Sequence, residues 1–148
     1  MTMEFSIETY DEVIADIRPL LVDHWLELAA YSDIPLDPNY DHYQALDRAG
    51  LIRIYTARLD GALIGYVIMT VIKSHPHYRG QAWAVSDIVL VLKEHRNFGV
   101  GNGLFDLLED DLKGSVVQIH TKNAHPELQI LLKSRGYDPI ETTFSKRL

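Results

Sequence analysis

Apolar and polar positions along this chain change their spacing several times, and each change marks the edge of an element. Met3 to Glu8 alternates weakly, with Phe5 and Ile7 on one side, and reads as a short edge strand. Thr9-Tyr-Asp-Glu12 has the form of a capping box that opens a helix. Ile14, Ile17, Leu21, Trp25 and Leu28 then fall near one helical face. Pro19 is expected to kink or restart that helix near Arg18, because proline lacks the amide hydrogen and crowds the preceding turn. Ser32 to Pro38 is a loop, and a second helix is expected from Tyr40 to Ala49, ending at Gly50.

The spacing then becomes that of strands. Leu51 to Ala57 and Ala62 to Ile72 are rich in β-branched and aromatic residues, and Asp60-Gly61 between them is a hairpin signal. Lys73 to Gln81 is a polar loop, and Ala82 to Leu92 is the next strand, its continuous apolar run from Ile88 to Leu92 marking it as buried. Charge follows at Lys93 to Arg96, then Gly99-Val-Gly101, then Leu104, Phe105, Leu107 and Leu108 at helical spacing up to Gly114. Ser115 to Thr121 reads as a short strand, parallel to the one before the helix through a right-handed crossover. Glu127 to Ser134 is a last helix capped by Gly136, and one or two closing strands are expected around Pro139. The expected fold class is α/β (α+β): a mixed, mostly antiparallel sheet of six to seven strands with about four helices, in a single domain over residues 1–148.

Composition narrows the function classes. At 148 residues the chain can bury one core, and 47% hydrophobic with 24% charged residues suits a globular protein. Fourteen basic against 21 acidic residues leave a net charge of -7, which disfavours binding to a phosphate backbone, so no nucleic-acid partner is expected. A cationic partner such as an amine is easier to accommodate. Cysteine is absent, which removes disulfides, thiol nucleophiles and thiolate metal sites. No apolar run approaches a membrane span and the N-terminus lacks a signal-peptide profile, so the expectation is a cytoplasmic protein with no membrane partner.

The chemistry gathers at the glycine turn. A strand, a glycine turn and a helix start in that order present unpartnered amides and the positive end of a helix dipole to an anion. Gly99, Gly101 and Gly103 do not make the dinucleotide fingerprint, since Leu104 stands where its third glycine belongs, and no nucleoside-triphosphate loop occurs. Arg96-x-x-Gly99-x-Gly101, with Val91 five residues before the arginine and an amphipathic helix after it, resembles the coenzyme A pyrophosphate loop of the GNAT superfamily of N-acetyltransferases. The order of elements and the tail Leu131-Leu-Lys-Ser-Arg-Gly-Tyr-Asp-Pro-Ile-Glu141 are similar to that family along essentially the whole chain. More loosely, Gly50 to the tail resembles small GNAT proteins of bacteria and their phages.

That resemblance implies a V-shaped split between the fourth and fifth strands, into which acetyl-CoA slides as co-substrate. It implies that Val89 and Val91 pair with the pantetheine arm and that the pyrophosphate rests on the amides of Arg96, Asn97, Phe98, Gly99, Val100 and Gly101, the Arg96 side chain adding charge. Lys93 either reaches phosphate or is simply solvated, and Asn123 either bonds the pantetheine arm or forms a turn. Asn97 replaces a glycine frequent in the family, and Lys93 a proline. Asp87 is the candidate catalytic base, on the face of Val89 and Val91 by strand alternation and acting through water; a structural role, paired to an arginine or capping a bulge, is the equal alternative. Leu132 stands where many family members have a tyrosine acid; Tyr137 is expected in the core, and His120 and His125, which flank the cofactor arm, are expected to be structural before catalytic.

His75 and His77 are two ligands short of an ordinary zinc site, so no metal is expected. His24, Trp25, Tyr31, Tyr40 and Tyr43 either line the acceptor groove or form a packed aromatic cluster. The expected activity is acetyl transfer from acetyl-CoA to a primary amine by direct attack in a ternary complex, on a small molecule or a protein amine. The alternative is an acyl-coenzyme A-binding pseudoenzyme with a regulatory role. A homodimer is an open expectation, as family members are often dimers.

Overall fold

The structure, a computed structural model, describes all 148 residues. Its sheet is five strands in the order of the sequence: β1 (Met3–Glu8), β2 (Ile52–Leu59), β3 (Ala62–Ile72), β4 (Trp83–Val91) and β5 (Val116–Gln118). β1 to β4 pair antiparallel, and β5 lies parallel to β4. The helices are α1 (Tyr10–Leu28), α2 (Tyr40–Arg48), α3 (Val100–Asp111) and α4 (Pro126–Ser134).

Two apolar clusters cover the two faces of the sheet. On one face Val13 and Ile17 of α1 pack with Ile52, Ile54, Tyr66, Ile68 and Leu90, and α2 adds Tyr40 and Tyr43. On the other, Val100, Leu104, Phe105 and Leu108 of α3 pack with Tyr55, Ala57, Val67, Met69 and Ala84, and α4 adds Leu132. The central strands are apolar on both sides because both sides are covered. The Phe5 ring of β1 lies on Gly103 of α3, where any side chain would overlap it.

Most of the expected boundaries hold, and two expectations do not. Thr9 caps α1 with the reciprocal Thr9–Glu12 box, Gly50 follows α2 with φ 69°, and the Asp60–Gly61 hairpin is present. Of the kink or restart expected at Pro19, the restart does not occur; α1 runs through it as one helix. Proline deletes one helical hydrogen bond, while the apolar face on both sides of it stays packed on the sheet.

The expected six to seven strands are five, because residues 137–148 form no strand. β5 is three residues long and offers too short a ladder to seed further pairing, and Pro139 has no amide to donate. The tail instead crosses to the loop after α1, where Arg147 pairs with Asp33 at 2.7 Å and Tyr31 shares a 2.5 Å hydrogen bond with Ser145. No helix is long and apolar enough to cross a membrane.

Candidate functional site

The pairing of β4 with β5 stops early. Trp83, Ala84 and Val85 face Val116, Val117 and Gln118, and there the parallel ladder ends. The next contact is a side chain standing in for the ladder: the His120 amide donates to Ser86 Oγ at 2.8 Å. From Ser86 to Val91 the β5 side of β4 has no strand against it. A cleft of about 560 Å³ opens along that edge, walled by Val89 and Val91 of β4, His120 and Lys122 after β5, Leu128 and Leu131 of α4, and the glycine turn.

The turn is shaped by backbone conformation. A 3-10 turn covers Lys93–His95, Asn97 takes φ 69° and Gly99 takes φ 81° as the N-cap of α3. A left-handed conformation is routine for glycine and tolerable for asparagine, which accounts for both residue types here. The consequence is a row of amides from Asn97 to Asn102 that make no hydrogen bond within the chain, the first internal bond of the helix being Gly103 N–H to Gly99 O. Unpartnered amides at a helix start suit an anion. Gly101 lies against Leu131 of α4, with room for no side chain without displacing it. Val100 is buried in the core below, whereas Phe98 is 76% exposed and outside the cleft wall.

The Arg96 side chain does not stand free above this cradle. Its Nε donates to Val91 O at 2.9 Å, and its two terminal nitrogens reach the Glu27 carboxylate at 2.8 and 3.2 Å. Glu27 is also 3.1 Å from His125 Nε2. Arg96 holds Glu27 well below the usual carboxylate range, and burial lowers the affinity of His24 beside them for a proton. The sequence pattern marked Arg96 but contained no signal for Glu27, which lies in a helix 69 residues earlier. Lys93 and Lys122 also line the cleft; Asn123 is exposed in the following turn and does not.

Asp87 departs from its expected position. Ile68 faces Ile88 and Met69 faces Ser86, so Asp87 is the extra residue of a β-bulge. A bulge breaks alternation. Val89 and Val91 pack toward α3, while Ile88 and Leu90 pack toward α1 and α2. Asp87 turns to the α1–α2 side, not to the face of Val89 and Val91, and its Oδ2 accepts from the Tyr43 hydroxyl of α2 at 2.5 Å. Burial, and then that bond, push the Tyr43 phenol above its ordinary range and keep it a donor. Asp87 itself is exposed and borders the cleft. No arginine pairs with it.

Other candidates separate. Leu132 is 7% exposed and belongs to the core, and Tyr137 packs edge-on to Phe105 with its ring centre 6.1 Å away. His120 and His125 both border the cleft. His75 and Tyr78 pack on Trp83, the Tyr78 ring stacked at 5.4 Å, so the loop between β3 and β4 is an aromatic knot. Trp25, Tyr31, Tyr40 and Tyr43 line a second cavity beside α1, and His24 lines the cleft instead.

Residues 14–137 match the model of the Acetyltransferase (GNAT) family. A comparison with curated protein sequences gives no match. The fold is similar to that of a ribosomal-protein-alanine N-acetyltransferase from Brucella melitensis biovar Abortus, with TM-score 0.73 and 17% identity over 99% of both chains. It is similar to an aminoglycoside acetyltransferase from an uncultured soil metagenomic sample, solved with sisomicin, with TM-score 0.75 and 15% identity over 99% of this chain and 96% of that one. A protein described as a predicted acetyltransferase from Clostridium acetobutylicum, solved with acetyl-CoA, gives TM-score 0.74 and 10% identity over 99% and 96%.

Proposed function

The chain belongs to the GNAT acetyltransferase family, and from that premise we propose that it transfers the acetyl group of acetyl-CoA to a primary amine by direct attack while both are bound. The observation that carries this reading is the row of unpartnered amides, Asn97 to Asn102, directly beyond the unpaired edge of β4. Those amides suit a diphosphate, Lys93 and Lys122 add positive charge at the same cleft, and the backbone of Val89 to Val91 is open to an extended arm. Acetyl-CoA supplies the acetyl group as a thioester, so that the new C–N bond forms as the C–S bond breaks and the sulfur leaves as a thiolate, then takes a proton from water.

The residues of the chain have three tasks. Arg96 and Glu27 hold the turn against α1, so the amides are arranged before a ligand arrives. Asp87 takes the proton that the amine must lose, through water, because a free alkylamine with pKa of roughly 10.4 arrives protonated. Tyr43 aims Asp87. No residue is assigned as general acid: Leu132 is apolar, and a thiol pKa of about 8.5 makes the sulfur a tolerable leaving group unaided. That missing acid is what favours the second reading, a coenzyme A-binding protein without turnover.

Calorimetric titration with acetyl-CoA, followed by thiol release with a panel of amines, tests both. Binding with release supports the enzyme, binding without release supports the second reading, and no binding overturns both.

A further inference from the structure

The second cavity, of about 670 Å³, lies between α1, the loop after it, the start of α2 and the sheet, with the C-terminal tail across one side at Thr143 and Ser145. It adjoins the proposed coenzyme A cleft: Ile88 and Lys122 border both, and the Tyr43–Asp87 hydrogen bond runs from one to the other. The two spaces differ in chemistry. Fifteen of the 22 residues lining this cavity are hydrophobic, against eight of 21 in the cleft. Asp37, exposed in the loop, is its one carboxylate.

On the acetyl-transfer reading above, we infer that the acceptor is a monoamine carried on an apolar body, a branched, long alkyl or aryl group, and that polycationic acceptors are disfavoured. The apolar body fills the space among Ile14, Ile17, Leu21 and Trp25, and the amine stands at the Tyr43–Asp87 end. A cavity of about 150 Å³ holds a benzene ring, so this one has room for a ring with a side arm. Apolar walls disfavour an ammonium and favour the free base, which is the nucleophile. A polycation would leave further charges against hydrocarbon with Asp37 as the one carboxylate to meet them.

The net charge of -7 points to cationic acceptors in general, but of the carboxylates behind it only Asp37 lines this cavity. Composition is compatible with any amine; the cavity wall is what bears on the group that carries it.

The test is calorimetric titration of the protein, without coenzyme A, with propylamine, hexylamine, phenethylamine, spermidine and kanamycin. Each buried methylene should tighten binding roughly fourfold. Hexylamine and phenethylamine are expected to bind at least about tenfold tighter than propylamine, spermidine or kanamycin, and to be the better acceptors in thiol release. Ala30→Trp fills the cavity from an exposed position and should cost the apolar amines about tenfold in affinity while acetyl-CoA binding is unchanged; Leu36→Arg is the second variant should the first unfold. Equal or tighter binding of spermidine or kanamycin, no dependence on chain length, or no amine binding at all overturns the inference. Failure of acetyl-CoA to bind overturns the acetyl-transfer reading instead, since the amine titrations are made without it.

Discussion

Arg96 and Glu27 meet through two parallel hydrogen bonds, 2.8 and 3.2 Å, that join the end of α1 to the glycine turn while Arg96 Nε also holds Val91 O at 2.9 Å. The pair makes Arg96 a brace for the turn as much as a charge for a ligand. Arg96→Ala is expected to raise the acetyl-CoA dissociation constant about tenfold and to lower stability by roughly 1–3 kcal/mol, because Glu27 is left without its main partner. Glu27→Gln separates the two roles. A brace predicts weaker acetyl-CoA binding in calorimetry, whereas a guanidinium released to touch phosphate would bind it more tightly.

Acid should destabilise the fold through two carboxylates. Hydrogen bonds from Arg58 hold Glu8 below the ordinary carboxylate value of 4.5, and those from Arg96 do the same for Glu27. A carboxylate lowered in the folded state binds its proton more weakly there than in the unfolded chain. Its stabilisation is complete above about 4.5, the unfolded value, and is lost as pH falls below it through the folded value. Thermal melting between pH 7 and pH 3 should therefore show a falling midpoint below about pH 5. Glu8→Gln should lower the midpoint at neutral pH and flatten the acid slope; an unchanged slope would mean other groups control it.

The anion cradle is tested at Gly101. Glu there meets Leu131 on one side and sets a carboxylate among the amides that lack partners. Gly101→Glu is expected to weaken acetyl-CoA by more than about a hundredfold with the far-ultraviolet circular dichroism retained. Gly99→Ala acts differently. At φ 81° its cost is backbone strain, about 1–2 kcal/mol, with open space around the new methyl group. Intact binding in Gly101→Glu would count against the assignment of the turn.

Asp87 and Tyr43 are expected to act as one unit. Asp87→Asn should lower turnover by roughly a hundredfold or more, the range for losing a general base, and leave acetyl-CoA affinity within about twofold. Tyr43→Phe should lower turnover less, by about three- to tenfold. In the double variant the Tyr43 change should add almost nothing, because its effect passes through the carboxylate. Full additivity of the two would separate Tyr43 from the mechanism.

Much of the architecture was legible because it is encoded locally. The Thr9–Glu12 box, the Asp60–Gly61 turn and the shift from alternating to helical spacing each act over a few residues. The amide cradle was legible for the same reason: Gly99 and the following helix start create it wherever the helix packs. Asp87 shows the limit. Alternation assigns it to the wrong face: a carboxylate in an apolar strand admits a bulge as an alternative, but whether one forms is a property of two strands in register. The strand count failed similarly, since tail segments pair only if an edge of sufficient length is offered, and β5 offers three residues.

The sequence by itself determined the order of elements, the apolar faces and the glycine turn with its unpartnered amides, because these follow from short-range sterics and periodic hydrophobicity. Only the tertiary structure decided that Glu27 braces Arg96, that Tyr43 aims Asp87, and that the cavity beside α1 is apolar although the chain as a whole is acidic. Those are meetings of residues tens of positions apart, and the folded backbone alone sets which side chains share a space.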